Sequence, residues 1–479
     1  MNTVEHHDHD TADSDPYHLA SLAGLGTSPS VLGLSTISGY DEYTNDPRFV
    51  ESQRELRELL FTSAHSLAPT RAASPEAELT SPLLPRIGVD EDAAIGKIVS
   101  TGARVAWLRN YLDEVAPWLD MFDAAQHFGR VVPIFAQSSV SLVFAMLAIS
   151  ARQMERKGKL RGDLDSLQLY QEAIGGLTPQ LLASDPGVLA TCVILCVLEM
   201  MSASPWNWQK HLDGCAALFS SYSIHGFSGG LPQAVFWCYA RMDVCAAIIC
   251  SGNSTLVLDL ENWLPPGVPQ NDASHYFLTA KVPDMWANYA VYLAARSCHL
   301  VWQQTNATHA VNEQPHDDQL TITWRILWVE LQAWRKNRPS ELLEISSGED
   351  SRASQDGPFP FVLFAASCAI SSNQLYHAAC LILLDIKPFS IESHQLGHQG
   401  SKLWHARRIC GISTTNEHHG CLNNAIQPLW LAGKLLSHPV EQRAVVNLIK
   451  TIENTTGWSV QWRIGDLKEA WGYDRNASI

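Results

Sequence analysis

From Ala93 onward, apolar residues recur at the three- and four-residue spacing of helices buried on one face or all round. Ser138 to Arg156 is apolar on nearly every side until its basic end, which predicts a central buried helix. Leu164, Leu167, Tyr170, Ile174 and Leu177 mark the next helix. Asp185-Pro186 opens a third: a capping residue precedes a proline at the first helical position, where a missing N–H costs nothing. That helix runs to about Met201 and stops before Pro205. Trp206 to Ser220 follows, and Pro232 opens the helix carrying Phe236 to Cys250. Beyond a proline-rich loop at Trp263 to Pro269, helices are expected at Asp284 to Trp302, Leu320 to Lys336 and Phe361 to Leu384. The last ones lie near Leu403, at Asn423 to Leu436, Pro439 to Thr455 and Asp466 to Gly472. The pattern predicts no β-sheet and no internal repeat. The fold class is all-α: a large multi-helix domain, residues 93–479, preceded by a mostly disordered N-terminal tail, residues 1–92.

The tail is rich in Ser, Thr, Pro, Gly, Asp and His, a composition that cannot bury enough apolar surface to offset chain entropy. One short helix interrupts it near residues 47–61. Asp46 fits its N-cap and Pro47 its first turn, and Phe49, Leu56, Leu59 and Leu60 share one face. That face has two readings, a helix docked on the main domain or a short partner-binding helix.

Composition sharpens the picture. Of 479 residues 46% are hydrophobic, enough for a sizeable core, and all 16 tryptophans fall after Arg104. Lys plus Arg is 33 against 49 Asp plus Glu, a net charge of −16, which argues against a broad nonspecific nucleic-acid surface. The acidic, histidine-rich start is unlike a secretory signal. The longest apolar runs, Val140 to Ala151 and Val188 to Leu198, fall short of the ~20 residues that span a bilayer, so no membrane association is expected. The cysteines then belong in a reducing compartment as small buried hydrophobes, and the Asn-X-Ser/Thr sequons carry no weight.

Several residues could carry chemistry. Gly226-Phe227-Ser228-Gly229-Gly230 matches a nucleophile elbow, but that motif needs a strand before it and a helix precedes it here. Cys192 and Cys196, and later Cys238, Cys245 and Cys250, lie at helical spacing among apolar residues, which favours packing over ligation. Trp404-His405 through Cys410 to His418, His419 and Cys421 gathers two thiols and three imidazoles, in a spacing that matches no common zinc module. His6, His7 and His9 are at most adventitious ligands. Trp206, His211, Arg241 and Asp243 interrupt apolar helices. A buried Arg241 needs a partner, with Asp243 or Asp213 the candidates, and a pocket among these residues could take a small effector. Arg152 to Arg161 carries the densest positive charge, read as a solvated loop or a weak nuclear-import signal. There is no Walker loop or dinucleotide fingerprint, and Asp317-Asp318 lacks the further aspartate of a diphosphate–magnesium site. No catalytic, cofactor-binding or metal residue is assigned and no cofactor is expected. A helical hydrolase using Ser228 and a cytosolic scaffold are the alternatives to a regulatory role.

Val132-Pro133-Ile134-Phe135, then LAISARQMER, LQLYQEAI, ATCVILCVLEM, WNWQKHLDGCAALF, FWCYARMDVCAAI, ANYAVYL, LYHAACLILL, WHARRICGISTTNEHHGCLNNAIQPLWLAG and TGWSVQWRIGDLKEAWGY resemble, block by block and in order, the fungal-specific transcription factor domain. The resemblance covers roughly Arg104 to Tyr473. It implies a helical regulatory domain of a nuclear transcriptional regulator from a filamentous fungus, controlling a local gene set such as a secondary-metabolite cluster. Its expected partners are other transcription regulators, a zinc-cluster DNA-binding protein among them, or a small-molecule effector. Family members carry an N-terminal binuclear zinc cluster in which six cysteines hold two zinc ions. The first cysteine of this chain is Cys192, inside the helical region. Direct sequence-specific DNA binding is therefore not expected from these residues. Either the regulator acts through a partner, or the sequence omits an upstream segment encoding the cluster.

Overall fold

The structure is a computed structural model that describes residues 43, 46–67, 96, 98–158, 165–177, 180–181, 186–202, 205–280, 282–309, 315–348 and 357–477. The tail up to residue 42, the stretch 68–95, the histidines His6, His7 and His9, the capping Asp185 and the end of the basic run at Lys159 and Arg161 lie outside these residues. So do the side chains of Trp206, Asp317 and Asp318.

Among the described residues the α-helices of eight residues or more are α1 (Pro47–Leu67), α2 (Gly102–Asn110), α3 (Val140–Arg156), α4 (Asp165–Leu177), α5 (Pro186–Ser202), α6 (Pro205–Ser221), α7 (Gly230–Cys250), α8 (Pro283–His309), α9 (Pro315–Asn337), α10 (Ser367–Asp385), α11 (Lys402–Thr415), α12 (Ile426–Gly433), α13 (Pro439–Thr456) and α14 (Gln461–Ala470). α3 begins where the Ser139 hydroxyl accepts from the Leu142 amide, satisfying a donor the helix itself cannot. It lies close along α4, and Gly176 explains the approach: a Cβ there would sit 3.2 Å from that of Ser141. α5 packs against α3, α6 and α7, and the second half of the fold stacks α8 on α10, α10 on α11 and α11 on α12. One apolar core runs through all of it, with Cys192, Val193, Leu195, Phe236, Tyr239, Tyr292 and Tyr376 fully buried.

α7 is long and apolar enough to cross a bilayer by length and composition, and most of it is buried inside the fold. Arg241 and Asp243 divide this run in the sequence, which hides its length from a search for unbroken apolar stretches.

α1 docks on α4 and α6. The Asp46 carboxylate caps it by accepting from the Arg48 amide at 2.8 Å, and Phe49, Leu56 and Leu60 are buried. Of the two readings of this helix, the structure displays the docked one.

Two expectations need correction. Phe361 does not open a helix, and the fold has a sheet. Ser346–Gly348 (β1) pairs antiparallel with Phe361–Leu363 (β2), in the register Ser346↔Leu363 and Gly348↔Phe361. The chain stays extended through Ala366, the N-cap, and α10 starts only at Ser367. The hairpin is seated on α11 at Gly411, where a Cβ would lie 2.2 Å from the Pro360 carbonyl oxygen.

Candidate functional site

The polar residues inside the apolar helices find partners, but not the expected ones. Arg241 pairs with neither Asp243 nor Asp213. Successive residues on a helix turn by about 100°, so positions 241 and 243 point to opposite sides of α7. Arg241 instead donates through Nη2 to the Leu119 carbonyl at 2.7 Å, with its guanidinium 5.3 Å from the centre of the Phe122 ring. Asp243 accepts from the Val257 and Leu258 amides at 2.8 and 3.0 Å, and burial pushes its carboxyl up to about 7. His211 Nδ1 lies 2.8 Å from Glu199 Oε1. The same carboxylate accepts from the Tyr170 hydroxyl at 2.6 Å and, on its other oxygen, from Gln53 of α1 at 2.7 Å. Glu199 escaped the sequence reading, although a lone acid inside VILCVLEMM is itself a signal that burial must be compensated.

Among the described residues of this set, His211, Arg241 and Asp243 are not gathered around one cavity. Arg241 lines a cavity of about 20 Å³, together with Phe122, Cys245, Asn424 and Gln427. That is room for one water molecule. His211 and Asp243 face elsewhere.

Ser228 is not set up as a nucleophile. Its hydroxyl accepts from the His225 amide at 2.9 Å, and the nearby His225 Nδ1 accepts from the Phe227 amide at 3.1 Å. The glycine of the motif serves packing: Trp237 Nε1 donates to the Gly226 carbonyl at 2.8 Å. The thiols are equally quiet. All eleven cysteines are free, and burial pushes Cys192 up to about 12 and Cys238 and Cys245 to about 11. These three are therefore thiols, not thiolates, at neutral pH. The histidines and thiols between Trp404 and Cys421 scatter. His405 faces His377, Cys410 is buried in the core, His418 Nδ1 lies 3.6 Å from Cys421 Sγ, and His419 accepts from Trp118 Nε1 at 3.0 Å while stacking on its ring. Among the described residues no three His, Cys, Asp or Glu side chains are grouped to hold a metal.

A larger cleft, about 400 Å³, opens beside the N-terminus of α11. Ser401, Trp404, Arg407 and Arg408 line it from the first turns of α11, with Pro358 and Pro360 from the hairpin. Arg407 Nε donates to Glu441 of α13 at 2.7 Å. Glu344 takes Arg408 on one oxygen at 2.6 Å and Arg338 on the other at 2.7 Å. The Arg335 guanidinium lies 4.8 Å from the centre of the Trp404 ring. Beneath this layer, His405 Nε2 lies 2.8 Å from the Gln399 carbonyl, so Nε2 carries the proton. Its Nδ1 then accepts from His377 Nδ1 at 2.8 Å. Burial, opposed by the Gln399 bond and aided by the nearby arginines, lowers His405 to about 4. His377 is lowered by burial, then by His405 and the arginines. Both rings are neutral at pH 7.

Residues 107–477 match the family model described as the fungal specific transcription factor domain. The chain is also similar to a protein of Alternaria alternata named transcription activator AMTR1. The two are 26% identical over 337 residues, which cover 59% of this chain and 44% of that protein. The chain thus spans less than half the length of this relative. No solved structure matches.

Proposed function

We propose that the chain, a member of the fungal-specific transcription factor domain family, is a transcriptional regulator that controls a local gene set in the nucleus through protein partners. The family match across residues 107–477 carries this reading. The named activator supports activation as the sign of control. A secondary-metabolite gene cluster is the target class that fits the family resemblance. Reading of DNA falls outside these residues, to a zinc cluster on a partner or on a further segment of the same protein. These residues supply no cluster of their own: the first cysteine is Cys192, and its thiol is buried in α5. The helical body then acts by contact with its protein partners.

The decisive experiment is deletion of the gene followed by transcript profiling. Loss of expression confined to a contiguous gene set is the expected result, and an unchanged profile overturns the proposal. Two companion measurements test its parts. The tagged protein should enter nuclei, and exclusion from them under all conditions would favour a cytosolic scaffold. The purified chain should not shift duplex DNA at physiological salt until the zinc-cluster partner is added. A specific shift by the chain alone rules out delegation to a partner.

A further inference from the structure

We propose that the groove between α4 and α6 is a docking site for an amphipathic helix of a partner protein, and that α1 occupies it in cis until such a helix displaces it. The groove belongs to residues 107–477, which match the family domain, whereas α1 lies before them. Its shape is specific. Gly214 leaves a hollow that Leu60 fills. The Phe49 ring packs 5.4 Å from that of Tyr170, centre to centre. Glu199 on the floor accepts from Gln53 at 2.7 Å, and Leu56 is buried between these contacts. Positions 49, 53, 56 and 60 share one face of a helix. The ligand is therefore a helix with an aromatic residue, a carboxamide four positions on, and leucines seven and eleven positions on.

Two features make α1 an exchangeable occupant rather than part of the core. The face it buries is nearly as polar as it is apolar, with Ser52, Gln53 and Ser63 beside Phe49, Leu56, Leu60 and Ala64. Permanent interfaces resemble a domain core cut in half, and those that open are more polar. The groove also keeps its lining when α1 leaves. Glu199 then loses one neutral donor but stays bonded to Tyr170 and His211, and water replaces Gln53. Because α1 belongs to the same chain, it competes as an intramolecular ligand. A free helix therefore enters only by binding more tightly than α1 does, which sets a threshold on partner binding.

The test uses the purified full chain carrying Phe49→Asp/Leu56→Asp, which puts two charges on the buried face of α1 and should expel it. All 16 tryptophans lie outside α1, so their near-ultraviolet circular dichroism reports the body, and it should match that of the parent. A fluorescent peptide of residues 43–67 should bind this variant with Kd on the order of 10 μM. It should bind the parent at least about tenfold more weakly, because α1 is in the way. A second peptide, with alanine at the exposed positions Glu51, Arg54, Glu55 and Glu58, should bind the variant equally well. A third, with Gln53→Leu, should bind at least about tenfold more weakly, since it leaves the buried carboxylate facing a methyl group. Only chain and peptide are present, so the outcome does not depend on the transcriptional reading. Loss of the tryptophan signal in the variant, no peptide binding by it, or equal binding by the parent would each overturn the proposal. So would failure of the alanine peptide or undiminished binding of the Gln53→Leu peptide.

Discussion

Leu60 of α1 fills the space that a side chain at position 214 of α6 would need. A Cβ on Gly214 would lie 2.7 Å from Leu60 Cδ1 and 2.9 Å from its Cβ. Alanine is the better helix former by about 1 kcal/mol, so Gly214→Ala would stabilise α6 if the space were open. Overpacking here costs about 1–3 kcal/mol and should win. The expected outcome is a lower urea midpoint and faster proteolysis within α1. A Gly214→Ala protein more stable than the parent would show that α1 does not sit in this groove.

Glu199 gives the second prediction. One carboxylate satisfies Tyr170, His211 and Gln53, which come from three different helices. Glu199→Ala strands all three buried groups and should cost roughly 3–5 kcal/mol, the range for breaking a buried pair. Gln53→Ala removes one neutral donor and should cost about 1–2 kcal/mol. Urea unfolding of both variants checks the order. Equal, small losses would mean that the carboxylate does not hold the cluster together.

These contacts show what the sequence could and could not convey. The helix start at Asp46-Pro47 was legible because a cap is a local event. The buried character of α3, α5 and α7 was legible because periodicity reports burial directly. The hairpin was missed because FVLF reads equally well as buried helix or strand, and its pairing with Ser346–Gly348 is not a local signal. The partners of Arg241 were missed because Leu119 contributes a backbone carbonyl, which no side-chain pattern announces. The cleft unites the start of α11 with Pro358 and Pro360 beside the hairpin, so spacing along the chain carries no trace of it.

The His377–His405 pair predicts an acid-labile element. In the unfolded chain both rings take up a proton below about pH 6.5. In the folded protein His405 does so only near 4, and His377 is held down as well. The unfolded state therefore binds more protons in this window. The stability is present in full above about 6.5 and is lost as the pH falls toward 4, by about 3 kcal/mol for His405. Asp120 and Asp243, raised to about 7 mainly by burial, act in the opposite sense between about pH 4 and 7, so the parent curve alone mixes both effects. The clean quantity is the difference between the parent and a His377→Leu/His405→Leu variant. Urea unfolding at pH 7.5 and 4.5 should show a smaller acid loss in the variant, and an identical loss in both proteins would refute the assignment.

The glycine-rich turn after α6 separates a packing role from a catalytic one. A Cβ at Gly226 would lie 2.6 Å from Trp237 Cζ2 and 3.0 Å from the Trp263 carbonyl oxygen. Gly226→Ala must therefore displace Trp237, which is buried against Phe236, Trp263 and Phe277, and break its bond to the Gly226 carbonyl. About 1–3 kcal/mol is expected from overpacking alone. Ser228→Ala removes one solvent-accessible bond to the His225 amide and should cost no more than about 1 kcal/mol. A serine nucleophile would reverse the interest of the two positions. It would leave Ser228→Ala folded but unable to react with a fluorophosphonate probe that labels the parent. His225 Nδ1 is turned to the Phe227 amide and the Ser228 hydroxyl to the His225 amide, so neither protein should be labelled. Stable labelling of the parent at Ser228 would mean that the turn rearranges in solution and that the chain has an esterase-like centre after all.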